Sequence, residues 1–339
     1  MRAIIVSDNK EEIVKLVEQE EPKNLKNGEV LVQTTLCSLC HSDLHMAQNP
    51  LNIGVSIGHE SIGKVLKVGE GVNKLKVGDL VGFPAGLHGA CGSCYYCKNN
   101  DEVFCEQAEY TTERGYGTMQ DLSIEREDYC IKLPDNIDLG AACIATCAGI
   151  TVYKGFKSSK IKEGSIVAIF GIGGLGNVAV EYAKNFYKAK VIAIGSNKDS
   201  LEIAKNKGAD YVINWKEENF KEKLYSISPR GVDVSLVTSS TSEQFKMAYE
   251  TLSPTGQLIA IGLPPENLEI NIPDLVIGGK QIIGSLIGNR NDLKECFDHL
   301  VKKIFNPEYE IVNIEEAPKY FKLMKDNKLF KRIVFNFNK

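Results

Sequence analysis

Ten cysteines are spread over the 339-residue chain, yet Cys91, Cys94, Cys97 and Cys105 fall within 15 residues, where composition alone would place about 0.4. The C-x2-C-x2-C-x7-C spacing suits a small lobe wrapped around one zinc ion. Tight turns aim successive thiolates at one point, and a closed four-sulfur shell leaves no position for a substrate, which is a structural role. Gly89, Gly92 and Lys98-Asn99-Asn100-Asp101 read as loop without a core of its own, so residues 89–106 are expected to be held by the metal. Reduced, unligated thiols on a surface loop are the alternative, but thiols exposed at such density are a redox liability.

A second constellation is dispersed. Cys37-Ser38-Leu39-Cys40-His41-Ser42-Asp43-Leu44-His45 precedes Gly58-His59-Glu60 and, much later, Thr146-Cys147-Ala148-Gly149. Cys, His and Cys from three segments can supply three zinc ligands and leave the fourth position to water or substrate, the plan of a catalytic ion. Each residue alone has an ordinary reading: Cys143 or Cys147 as a small buried apolar side chain, His59 as a hydrogen-bonded core histidine.

The third signal lies between Ile161 and Asp210. Ser165-Ile166-Val167-Ala168-Ile169-Phe170 is a short buried-strand run, followed by Gly171-Ile172-Gly173-Gly174-Leu175-Gly176 and then by helical spacing at Val178, Val180, Tyr182, Ala183 and Phe186. Strand, glycine turn and helix in that order form a dinucleotide site: Gly171 permits the tight turn, Gly173 a close approach to the pyrophosphate, and Gly176 close strand-helix packing. Free N–H groups at the helix start receive the phosphate charge. A second strand, Lys190 to Ile194, follows, and the residue closing it discriminates between coenzymes. An acid there would bind the ribose hydroxyls of NAD and repel the extra phosphate of NADP, yet the chain has Gly195-Ser196-Asn197-Lys198. A small residue with hydroxyl, amide and ammonium donors predicts a preference for NADP(H). NAD(H), its ribose bound by Ser196 or Asn197, is the alternative.

These residues need elements to position them. Strand runs at 210–214, 232–237, 257–262 and 281–285 alternate with helical stretches around 198–207, 216–226 and 242–252, which predicts a six-stranded parallel α/β sheet. Before Thr146, runs such as Val30 to Thr34 and Gly63 to Gly69 point to a β-rich, barrel-like domain, to which the last 40 residues return. The boundaries are expected near 149 and 296.

Composition bounds the function. Forty Lys plus Arg against 44 Asp plus Glu leaves a charge of −4, with no basic excess for nucleic acid or an anionic membrane. No run of about 18 apolar residues occurs, and Met1 to Val6 enters a strand rather than a secretory leader, so a soluble cytoplasmic protein is expected.

Taken together, Cys40-His41-Ser42-Asp43-Leu44-His45, Gly58-His59-Glu60-Ser61-Ile62-Gly63, Gly78-Asp79, the four-cysteine lobe, Thr146-Cys147-Ala148-Gly149 to Tyr153, the glycine turn and Gly262-Leu263-Pro264 resemble the zinc-dependent alcohol dehydrogenases of the medium-chain dehydrogenase/reductase superfamily. The resemblance spans nearly the whole chain. It implies a GroES-like catalytic domain at 1–148 and 297–339, carrying the zinc lobe, and a Rossmann coenzyme domain at 149–296. It implies two zinc ions per chain, the catalytic one on Cys40, His59 and Cys147 and the structural one on Cys91, Cys94, Cys97 and Cys105. Ser42 would hydrogen-bond the substrate oxygen and pass its proton through the coenzyme ribose to His45, since an imidazole titrates near neutral pH. Asp43 and Glu60, next to ligands in sequence, are read as carboxylates that steady the metal site, and Glu60 resembles a residue able to approach the metal. His41 and Arg332 correspond to contacts on the coenzyme pyrophosphate, and Thr151 to one on the nicotinamide.

Two departures bear on the substrate. Five residues before Cys91, where many members acting on short alcohols have a Trp, stands Gly86, and the loop between His45 and His59 carries Leu51 and Ile53 rather than aromatics. A roomier pocket for larger or branched aldehydes is expected. The expected activity is hydride transfer between an alcohol/aldehyde pair and a nicotinamide dinucleotide. Alternatives are an NAD-dependent or cinnamyl-alcohol-type relative, or a non-catalytic zinc- and nucleotide-binding protein. Homo-oligomers are expected, tetramer over dimer.

Overall fold

The structure, a computed structural model, describes residues 1–217, 219–329 and 331–338. The chain divides into two compact units: Met1–Ile150 with Gly288–Lys302 and Glu308–Lys339, and Thr151–Ile287 with Lys303–Pro307.

The first unit is built on a seven-stranded sheet whose central strand, Glu29–Ser38, pairs antiparallel with Ser61–Val68, Leu122–Arg126 and Arg332–Asn336. Alternation along these strands sends Val30, Val32, Val65 and Val81 into one apolar cluster, while Ile4, Leu39, Ile57, Phe321 and Phe335 fill another. The C-terminal segment contributes Tyr309–Asn313 and Arg332–Asn336 as a parallel pair, joined through helix Ala317–Lys325. The boundary expected near 296 falls inside helix Arg290–Val301, and contacts place that helix in this unit. Asn289 Nδ2 donates to Asn100 O at 2.7 Å, Arg290 Nε lies 2.8 Å from Glu102 Oε1, and the Phe297 ring closes on Gly82.

The second unit contains six parallel strands: β1 (Ile166–Phe170), β2 (Lys190–Gly195), β3 (Tyr211–Asn214), β4 (Val232–Val237), β5 (Leu252–Ala260) and β6 (Gln281–Gly284). Their spatial order is β3-β2-β1-β4-β5-β6, the doubly wound Rossmann arrangement. Val167 to Phe170 and Val191 to Ile194 are wholly buried, as continuous apolar runs in a sheet covered on both faces must be. One element starts later than its sequence pattern suggests. Trp215-Lys216-Glu217 is a turn and the helix is Phe220–Ile227, because Asn214 Oδ1 accepts from Lys216 N–H at 3.1 Å and Trp215 N–H donates to Gly195 O at 3.1 Å.

Helix Leu139–Lys157 has the length and apolar content of a membrane span, but 89% of its apolar window is buried inside the protein, the condition of a core helix.

Candidate metal centre and coenzyme turn

The strand Glu29–Ser38 delivers Cys40 to the start of helix His41–Gln48, where a reciprocal cap holds it: Cys40 N–H donates to Asp43 Oδ2 at 2.9 Å, and Asp43 N–H to Cys40 O at 3.1 Å. The other oxygen of Asp43 lies 2.7 Å from His59 Nδ1. One wholly buried carboxylate thus fixes two segments at once and turns the far nitrogen of His59 toward the sulfur of Cys40. Cys147 enters from Ala145–Gly149, a widened i→i+5 turn within a buried helical stretch, a local irregularity common at functional sites.

Together Cys40, His59, Glu60 and Cys147 place one donor atom each within 4.8 Å of one another, all four buried. The hydrogen bond from Cys147, aided by the charge of His59 against the cost of burial, holds the Cys40 thiol well below its ordinary range. The same bond and burial push Cys147 up. Burial opposes charge on His59, yet Asp43 and Cys40 outweigh it and raise its pKa. Burial lifts Glu60 to about 7 despite Arg332. Two thiols and an imidazole converging on one point are the donor set a zinc ion takes. Glu60 Oε1 is buried without a hydrogen-bond partner among the described residues, and its other oxygen is held by Arg332.

Of the residues expected to relay a proton, Ser42 lies beside this cluster. Ser42 Oγ is 3.8 Å from Cys40 Sγ, and Ser42, His41 and His45 are exposed, the two imidazole rings 6.2 Å apart. The structure pairs Arg332 with Glu60, 272 residues away in the chain. Sequence reasoning named both residues without finding the pair, and no local signal could have shown it. Cys143 is a small, fully buried residue, its thiol donating to Glu60 O at 3.1 Å.

Gly86, at φ +75°, has His59 Cβ and Thr111 Oγ1 each 2.8 Å from where a Cβ would lie, so on this backbone the position does not accept a side chain. Leu51 is 87% exposed and Ile53 half exposed.

In the lobe, the sulfurs of Cys91, Cys94, Cys97 and Cys105 also lie within 4.8 Å of one another. Backbone N–H groups of Ser93 and Cys94 donate to Cys91 Sγ at 3.5 and 3.3 Å, lowering that thiol to about 6. Burial and neighbouring thiols lift Cys97 to about 12. N–H groups aimed at sulfur are what a thiolate shell requires.

In the second unit, β1 runs into the turn Gly171 to Gly176 and helix Gly174–Glu181. Gly171 has φ +93°, and a Cβ on Gly176 would lie 2.1 Å from Gly171 O, so neither position accepts a side chain. Nothing lies within 4 Å of a Cβ on Gly173, which leaves room for a ligand. Leu175 and Gly174 sit in the first helical turn. Gly195 closes β2, Asn197 caps helix Lys198–Asn206 through Ser200 N–H, and Ser196 and Lys198 are exposed. The Thr151 hydroxyl is buried without a partner among the described residues.

Comparison with known proteins agrees with this geometry. Residues 26–135 match the family described as alcohol dehydrogenase GroES-like domain, and residues 174–302 match zinc-binding dehydrogenase. Among solved structures, the chain is similar to alcohol dehydrogenase TADH from Thermus sp. ATN1 (26% identity, TM-score 0.89, 99% of each chain covered). It is also similar to acetophenone reductase from Geotrichum candidum in complex with NAD (26%, TM-score 0.85, 99% of this chain and 96% of that one). CAD from Helicobacter pylori, complexed with NADP(H), is a third (26%, TM-score 0.84, 99% and 96%).

Proposed function

This chain belongs to the alcohol dehydrogenase family of the medium-chain dehydrogenase/reductase superfamily, and we propose that it is a zinc-dependent alcohol dehydrogenase or aldehyde reductase that prefers NADP(H). The observation that carries the reading is the convergence of Cys40, His59 and Cys147, with Glu60, on one point. A zinc ion held there would act as a Lewis acid that lowers the pKa of an alcohol, and the nicotinamide would exchange hydride with the substrate carbon. A second zinc ion on Cys91, Cys94, Cys97 and Cys105 would hold the lobe.

The protein's own groups prepare the site. Asp43 binds the Nδ1 proton of His59 and so presents Nε2 in one tautomer. Arg332 grips Glu60 and balances a buried carboxylate that would otherwise add negative charge beside two thiols. The Ser42 hydroxyl bonds the substrate oxygen and carries its proton toward His45 and solvent. The turn Gly171 to Gly176 would receive the pyrophosphate, and by the family resemblance His41 and Arg332 would be contacts on it and Thr151 a contact on the nicotinamide.

Replacing Cys40 by Ala is expected to abolish turnover while one zinc ion per chain remains in the lobe, by metal analysis. Retained turnover overturns the catalytic assignment. Similar structures hold NAD in one case and NADP(H) in another at equal identity, so overall likeness does not choose the coenzyme. The segment Gly195 to Lys198, which lacks an acid, supports NADP(H). Initial rates of aldehyde reduction with NADPH and NADH, measured side by side on one short and one aromatic aldehyde, are expected to favour NADPH. Faster reduction with NADH refutes the preference.

A further inference from the structure

The carboxylate missing from the end of β2 enters from the end of β3. Gly195 and Asn214 are register partners at the carboxyl ends of these parallel strands. The turn that follows β3 is tied to the segment that follows β2: Trp215 N–H donates to Gly195 O at 3.1 Å, and Asn214 Nδ2 to Ser196 O at 3.5 Å. On this stitched edge Glu217 Oε1 stands 3.4 Å from Lys198 Nζ. Lys216 Nζ lies 5.4 Å from the centroid of the Trp215 ring, a second cation on the same turn. In an open α/β sheet the ligand lies outside the carboxyl ends of the strands, and the residues closing the second strand meet the adenosine ribose. Lys198, the ammonium expected to attract a 2′-phosphate, therefore already has a partner.

We propose that Glu217 is a specificity-determining residue: it is the counter-ion of Lys198, and a 2′-phosphate gains Lys198 only by displacing it. A ribose with a free 2′-hydroxyl leaves the pair intact. The pair is exchangeable, because its side chains are 78% and 52% exposed and ion pairs in water are weak. Lys216, steadied on the Trp215 ring, offsets part of the repulsion between Glu217 and the incoming phosphate. The preference between NADP(H) and NAD(H) is thus set by two segments, one after β2 and one after β3, and not by the closing residues of β2 alone.

The inference rests on the coenzyme reading above, and its test keeps the two apart. The full-length protein is titrated calorimetrically with 2′,5′-ADP and with ADP, which differ only by the 2′-phosphate. The fluorescence of Trp215, the chain's one tryptophan, is followed alongside. Glu217→Gln is expected to tighten 2′,5′-ADP by about three- to fivefold and to leave ADP within about twofold, the scale of an exposed ion pair. In a Lys198→Met background the same substitution is expected to leave the ratio of the two affinities unchanged. An unchanged ratio in Glu217→Gln, or an equal gain in the Lys198→Met background, overturns the proposal. The unsubstituted protein answers the other question, since equal affinity for the two nucleotides refutes NADP(H) preference while the role of Glu217 is read from the change on substitution. Failure to bind either nucleotide overturns both.

Discussion

Glu125 is wholly buried between His88 Nδ1 and Arg114 Nη1, each 2.7 Å from its Oε2. Burial alone would raise a carboxyl pKa, but His88 and Arg114 outweigh it and hold Glu125 at about 2, against an ordinary 4.5. A folded value below the unfolded one means that the stabilisation is complete above pH 4.5 and is lost as pH falls toward about 2. Burial lowers the pKa of His88 below its ordinary 6.5, so the unfolded chain takes up that proton first and stability also declines as pH falls below 6.5. Both groups therefore steepen the acid limb, His88 first and Glu125 after it. Glu125→Gln is expected to cost about 3 kcal/mol at pH 7. It should also flatten the dependence between pH 4.5 and about 2, followed by urea unfolding across pH. A variant that keeps the full acid slope there would show that Glu125 is not its source.

At the scale of elements, legibility follows how local the physical demand is. The turn Gly171 to Gly176 could be read from sequence because its glycines answer backbone requirements: a positive φ at Gly171 and a van der Waals limit between Gly176 and Gly171 O. The convergence of the lobe cysteines was equally readable, since four sulfurs within 15 residues need no long-range information. The cluster of Cys40, His59 and Cys147 gathers segments as far as 107 residues apart, and only a resemblance carrying all of them in order could join the three. Where neither local demand nor resemblance spoke, the sequence misled: the stretch from 216 suggested helix where Asn214 and Gly195 hold a turn. Helix Arg290–Val301 has the same apolar face whichever unit it joins, so the Asn289, Arg290 and Phe297 contacts had to settle its place. The pair of Glu217 with Lys198 was invisible for a like reason: adjacent parallel strands bring their exits together only once the sheet is wound.

At the scale of the whole molecule, the second unit carries a surface that an isolated chain has difficulty keeping in water. Strand β6 ends its sheet, with only β5 beside it among the described residues. The neighbouring helix Ile272–Gly278 buries none of its residues, leaving Val276 70% and Ile277 87% exposed, and Leu263, Ile282 and Leu286 are exposed as well. An open strand edge flanked by aliphatic side chains invites pairing with another chain, and a two-fold axis satisfies two such edges at once. We propose that the protein is a homo-oligomer associated through this edge, with four chains as the expected state. Light scattering at micromolar concentration should then give a mass of four chains, and Ile277→Asp combined with Ile282→Lys should lower it while circular dichroism stays unchanged. Ile277 already faces water and Ile282 is partly exposed on the last strand, so unchanged circular dichroism separates loss of association from loss of fold. A monomeric mass for the unsubstituted protein would mean that β6 stays unpaired in solution, and an unaltered mass in the double variant would move the contact elsewhere.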